Sequence, residues 1–388
     1  MPDFKKRHLI FPVFVPSMLF SSGEGALIPI LPTAAQHLGA SLPVAGFIAG
    51  LTMIGTVLFD VPAAKLVHKY GERHSMIGSS LLAAISMFGA MAATNLWVLG
   101  FWVLIAGAMI STFALARHAF MAEHVPHSHR ARSLSLLGGM FRAGAFLGPT
   151  VGALVVFAFG LPWVYFAGGI LCLAAGAVLL AAPKDSVPDT NGGHHGSTLQ
   201  IARREWRKLA TVGMSSTIVA MLRTVRQVGL PLWGLYIGMH PGTVSLFIGI
   251  AGALDFLLFY ASGQIMDRYG RRWALVPTSI GMAVSHVALI FAANETGFLV
   301  VAILMSLANA LGSGIVLTLG ADLAPTDARS EFLAAYRLLI DSGVAITPVM
   351  LSALTVAITL PGAVLGFAGL SAVGAFLGWR YLPKFNIK

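Results

Sequence analysis

Charged residues are scarce in this chain. Only 10% of its 388 residues are Asp, Glu, Lys or Arg, whereas a soluble domain needs about a quarter to cover its surface. That shortage excludes an ordinary globular protein with water on every side. Cysteine is nearly absent: the single thiol, Cys172, leaves no disulfide and no cysteine metal site. No phosphate-cradling glycine loop, metal-spaced ligand set or nucleophile–base constellation is present. Nucleotide-driven pumping and membrane-embedded catalysis therefore both lack their usual residues, and no cofactor is expected. Ten-residue strands of alternating polarity, the mark of a membrane barrel, are missing as well.

What the chain has in abundance is apolar sequence, 57% of it. Runs of roughly 20 such residues suit a bilayer's hydrocarbon core, and twelve are counted, at about 9–35, 43–64, 75–94, 96–119, 133–158, 162–182, 209–237, 243–265, 274–294, 297–320, 332–356 and 361–382. Lipid offers no partner to an unpaired amide, so these runs must be helices. Of the 25 Lys and Arg, 20 lie at the two ends or in alternate connections, while the intervening connections hold none. The net charge of +10 is thus a positive-inside pattern and not a nucleic-acid footprint. It predicts a multi-pass protein of the inner, cytoplasmic membrane with both termini cytoplasmic. The first run is too long for a signal peptide and carries Glu24, so it is expected to be retained.

The chain is also written twice. An offset of 199 residues lays Gly71 on Gly270, Arg73 on Arg272, Glu123 on Asp322, Arg130 on Arg329, Pro149 on Pro348 and Pro162 on Pro361. This predicts two six-helix halves, 1–182 and 209–388, joined by a polar cytoplasmic linker at 183–208 with a short amphipathic helix at 198–208. The adjacent His194 and His195 in that linker read as solvated, and no metal site is predicted. A membrane protein made of two like halves suggests one half moving against the other.

The connection after the eighth run reads Gly263-Gln-Ile-Met-Asp267-Arg268-Tyr-Gly270-Arg271-Arg272. It resembles the G-x-L-x-D-R-x-G-R-R signature of the major facilitator superfamily. The first-half copy departs from it, with Ala64, His68 and Glu72 at three key places. The fifth run contains Gly144, Gly148, Pro149 and Gly152, which resembles the G-x-x-x-G-P-x-x-G-G motif of that superfamily's antiporters and drug exporters. Glycines spaced by four let another helix approach closely, and the proline bends its own helix. Where the family carries an arginine early in the fourth run, this chain has Val103. The resemblance implies an all-α fold of twelve transmembrane helices, a central cavity lined by the first, fourth, seventh and tenth, and a monomer exchanging small molecules and protons across the bilayer. It also implies gating contacts between the basic loops and the acids Glu123 and Asp322. Glu123 is expected to meet Lys69 or Arg73, and Asp322 to meet Arg268 or Arg272, with Asp267 and Arg271 in the same latch.

An ionisable group inside the bilayer costs about 2.5–3.5 kcal/mol on insertion scales, so those kept deep in helices are candidate sites. Glu24, Asp255 and Asp341 are the candidate proton carriers, and Glu24, Arg142, Arg223 and Arg226 the candidate cavity residues. Glu24 sits in Ser21-Ser22-Gly23-Glu24-Gly25, a polar break in an apolar helix. An arginine moving towards or away from it would switch its hold on a proton. Helical rise sets Arg142 and Asp255 at matching depths, roughly 15 Å from their helix ends, and Asp60 and Arg337 at roughly 6–8 Å. Both are expected to be ion pairs between the two halves, broken and remade as the halves move. Arg117, near the end of its run, is expected to snorkel towards the headgroups. The resemblance to that superfamily's drug–proton antiporters implies proton-coupled export of hydrophobic or amphipathic compounds by alternating access, which the fifth-run motif and Glu24 support. The alternative is a symporter or facilitator for a small organic anion, favoured by Arg223 and Arg226.

Overall fold

The computed structural model describes residues 10–125, 127–181 and 198–385. Every regular element among them is helical, as the requirement for internal backbone pairing in lipid demands. The chain folds into two compact units, Met1–Thr190 with Gly234–Phe256, and Asn191–Trp233 with Leu257–Lys388.

In the first unit, α1 (Val15–Leu27) leads through a 3-10 turn into α2 (Leu31–His37), which together make the first run. The long helices α3 (Leu42–Tyr70), α4 (Glu72–Met91), α5 (Leu96–His124), α6 (His127–Phe159) and α7 (Pro162–Ala181) follow. The linker contributes α8 (Thr198–Arg204) and α9 (Trp206–Lys208). Then come α10 (Met214–Tyr236), α11 (Pro241–Tyr269), α12 (Arg272–Leu289), α13 (Glu295–Leu311), α14 (Ile315–Leu323) and α15 (Arg329–Tyr381). Among the described residues, nine helical segments are long and apolar enough to cross a membrane. One of them, Glu331–Tyr381, is two helices joined at Thr359, where the backbone leaves the helical region. The stretches α10 and α12, which the sequence counts as crossings, are not among the nine.

The 199-residue repeat reappears in the connections as local physics. Left-handed φ angles occur at Gly39 and Gly238, at Gly71 and Gly270, and at Gly160 and Thr359, each pair one repeat apart. Asn95 accepts the Val98 amide at the start of α5, and Asn294 accepts the Gly297 amide at the start of α13. Such caps satisfy amides that a helix start leaves unpaired. One left-handed position has no counterpart. Gly314, at φ 87°, splits the tenth run into α13 and α14, whereas the corresponding α5 is continuous.

Candidate functional site

The Ser-Ser-Gly-Glu-Gly break of α1 lies between two glycine-bearing helices. A Cβ on Gly144 of α6 would stand 2.8 Å from the Met18 carbonyl, and one on Gly148 would stand 2.7 Å from the Ala26 amide. On Gly152 it would reach the Ala26 carbonyl at 3.3 Å, while Pro149 presses on Gly25. The four-residue spacing of the α6 glycines thus tracks α1 for two turns, with Glu24 inside the crossing. On the other flank, the bare Cα of Gly23 meets the Gly168 carbonyl and the Cys172 sulfur of α7.

Ser17, Ser21 and Glu24 recur at i, i+4 and i+7, so they share one face of α1. Both hydroxyls are buried and have no hydrogen-bond partner, an arrangement that natural interiors seldom leave without a use. Phe20 on the same helix stacks on Phe113 of α5, centroids 4.1 Å apart. One turn beyond Phe113 is Arg117, only 7% exposed, its guanidinium 5.1 Å over the Phe141 ring and its Nε unpartnered. Arg117 and Glu24 interact electrostatically. The expectation that Arg117 snorkels is therefore wrong: its side chain turns into the protein, because an aromatic face and a carboxylate both wait there. Val103 leaves the family's early arginine position empty of charge, yet α5 still delivers one buried arginine.

In the second unit the arginine of α10 closes the break between α13 and α14. Arg223 donates through Nε to Asn309 Oδ1 at 2.9 Å and through Nη2 to the Gly312 carbonyl at 2.7 Å. Ser262 of α11 donates to the carbonyls of Leu311 and Ser313, each at 2.8 Å. Three successive carbonyls at the break thereby have side-chain donors in reach, those of Leu311 and Ser313 sharing the one Ser262 hydroxyl proton and that of Gly312 also taking the Ile315 amide, as a bilayer requires of any non-helical turn. The sequence held the signal, Gly312-Ser313-Gly314 within an apolar run, but small residues in such a run also suit plain helix packing. Arg226 is partly buried one turn further along α10.

The other predicted residues fall out as follows. Asp60 accepts a short hydrogen bond from Ser111 of α5. Arg337 donates to Asp341 at 3.2 Å, an i,i+4 pair along α15. The latch after α11 centres on Arg271, which reaches Asp322 at 2.9 Å and Asp267 at 3.4 Å. Arg268 and Arg272 were the expected partners of Asp322; they instead lie over the rings of Tyr269 and Trp379. The tight turn at Gly270 decides this, rotating the first residue after it towards α14. In the first unit, Arg73 donates to the Leu179 and Leu180 carbonyls at the end of α7, and Lys69 lies over Tyr70. The side chains of Glu123 and Arg130, like residues 182–197 of the linker, lie outside the described residues.

Arg142 and Asp255, expected to pair from different halves, both belong to the first unit, because the start of α11 packs with that unit. Added Cβ atoms on Gly242, Gly249 and Gly252 of α11 would touch Phe157, Thr150 and Phe146 of α6 respectively. That antiparallel register, continued by one turn, brings Asp255 level with Arg142. From the linker, Arg204 grips Asp327 with two bonds of 2.7 and 3.1 Å, and Lys208 donates to the Leu323 carbonyl at 3.2 Å.

Comparison with known proteins places this geometry in a family. The tetracycline resistance protein, class G, of Vibrio anguillarum is 26% identical over 306 residues, 75% of each chain. The multi-drug resistance efflux pump PmrA homolog of Lactococcus lactis is 21% identical over 98% of this chain and 97% of its own. Among solved structures, a peptide transporter POT in complex with sulfate superposes with a TM-score of 0.81 at 11% identity, covering 98% of this chain and 95% of that one. The family model of the Major Facilitator Superfamily matches residues 13–225 and again 212–387, and so the chain belongs to the Major Facilitator Superfamily.

Proposed function

We propose that this protein is a proton-coupled exporter of hydrophobic or amphipathic small molecules, a drug–proton antiporter working by alternating access in the cytoplasmic membrane, with both termini on the cytoplasmic side. The observation that carries the coupling is the polar face of α1: Glu24 held in a glycine crossing, two unpartnered buried hydroxyls leading to it, and Arg117 in electrostatic reach. An arginine favours the charged carboxylate and loses that partner when the acid is protonated. Proton binding at Glu24 and movement of Arg117 are in this way two sides of one event. Ser21 and Ser17 offer hydroxyls that can relay the proton along the helix face.

The resistance pumps among its relatives support export, and the glycine motif of α6 supports antiport. Arg223 has two donors committed to the break in α13–α14, which supports a structural charge there more than a clamp for an organic anion. Asp255 and Asp341 stand as secondary proton carriers, and Arg142 as the partner that Asp255 meets and leaves during the cycle.

The test is flux in proteoliposomes under an imposed pH gradient without nucleotide. Wild-type protein is expected to accumulate a lipophilic cation when the gradient is applied. Glu24→Gln should retain substrate exchange but show no acceleration by the gradient. Full gradient-driven flux in Glu24→Gln would remove the carboxyl from the coupling role.

A further inference from the structure

The second unit carries a cavity of about 940 Å³ whose lining includes Arg268, Tyr269, Arg271, Arg272, Trp273 and Phe385. It opens where the turn at Gly270 meets the end of α15. Its charges do not cancel. Arg271 answers both acids in the lining, Asp322 and Asp267, which leaves Arg268 and Arg272 without a carboxylate among the described residues. Each lies instead over an aromatic face, Arg268 at 5.3 Å from the Tyr269 centroid and Arg272 at 5.1 Å from that of Trp379. Tyr269, Trp273 and Trp379 are all more than half exposed, as amphipathic rings are at a membrane–water boundary.

The first half keeps the turn and, in Lys69 over Tyr70, the counterpart of Arg268 over Tyr269, but it lacks the rest of this arrangement. One repeat back, Glu72 stands for Arg271, His74 for Trp273 and Leu180 for Trp379. Arg73, the counterpart of Arg272, is already used on the Leu179 and Leu180 carbonyls. The cluster is therefore not a by-product of the repeated scaffold.

We propose that this cavity binds the phosphodiester headgroup of an anionic phospholipid. Two planar guanidiniums can each offer paired N–H donors to phosphate oxygens. The cavity is too large for inorganic phosphate alone, and the exposed rings give the acyl-glycerol end a surface at headgroup depth. Bound there, the lipid would bridge the α11–α12 turn and the end of α15, beside the Arg271–Asp322 contact.

The experiment is native mass spectrometry and thermal unfolding of the full chain, taken from phosphatidylcholine nanodiscs with or without added phosphatidylglycerol. Wild-type protein should retain one more phosphatidylglycerol than the double variant Arg268→Gln, Arg272→Gln. It should also unfold several degrees higher with that lipid than in phosphatidylcholine alone. The double variant Arg203→Gln, Arg207→Gln, the same loss of two charges in the linker, should keep both effects. If the double variant is recovered poorly, Arg272→Lys supplies the comparison, since it keeps the charge but loses the planar fork. Equal retention in wild type and variants would overturn the site. Equal stabilisation by millimolar inorganic phosphate would overturn the lipid and point to a soluble ligand.

Discussion

At the scale of single residues, the repeat makes Thr359 an internal control. Its φ of 80° and ψ of 163° fall in a region that is essentially glycine's, where other residues bear about 1–3 kcal/mol of strain. The first half has Gly160 at the equivalent place, at φ 91°. Thr359→Gly should therefore stabilise the protein by about 1 kcal/mol, once glycine's greater freedom in the unfolded chain is set against the strain removed. Gly160→Thr should destabilise it by a similar amount. The measurement is the thermal midpoint of each variant in the same detergent, and a fall for Thr359→Gly would refute the strain. Residues of this kind are legible from sequence only in part. The offset marks Thr359 as the odd partner of a glycine, but only the backbone angle says that the difference matters. Arg117 was missed for a related reason. Its position along a helix can be counted, yet whether a long side chain turns towards headgroups or inwards depends on Phe141 and Glu24, which arrive from other helices.

At the scale of elements, the short helix α8 illustrates how a linker can be tied to one unit. Its last residue, Arg204, holds Asp327 in a two-pronged contact, and those hydrogen bonds keep the Asp327 carboxyl below its ordinary range. A carboxyl depressed in the folded state contributes its tie above its unfolded value and loses it as pH falls through the folded one. The protection of 198–208 against hydrogen exchange, relative to the intrinsic rate at each pH, should accordingly stay high near neutrality and fall in acid, and Asp327→Asn should be poorly protected throughout. Exchange in the variant as slow as in wild type would show that packing alone holds the helix. The amphipathic helix itself was readable from its composition. Its partner was not, because Asp327 lies 123 residues away in the sequence. The α13–α14 break is a second element of this sort: its glycines are visible in the sequence, but the roles of Arg223 and Ser262 in sealing it emerge only from the fold.

At the scale of the whole molecule, what the halves share and where they differ separate scaffold from chemistry. The shared features are turns and caps, at Gly71 and Gly270 or Asn95 and Asn294; the turn glycines were legible because turn residues carry their geometry with them, whereas the asparagine caps emerge only from the fold. The differences are the polar face of α1, the split tenth run and the arginine-rich cavity. A transport cycle needs contacts that can open, and the register of α6 with α11 supplies one that can be tested. Contacts at Phe157–Gly242, Thr150–Gly249 and Phe146–Gly252 run antiparallel, and the next turn sets Arg142 opposite Asp255. Like charges facing at about 4 Å repel by roughly 4 kcal/mol at an effective dielectric of 20, enough to hold the two helices apart. Arg142→Asp and Asp255→Arg should each lose most gradient-driven flux while reaching the membrane at wild-type levels. The double reversal restores attraction at the same level and should recover a substantial part of it. A double variant no better than either single change would mean that the two residues act separately, and that the α6–α11 register serves packing alone.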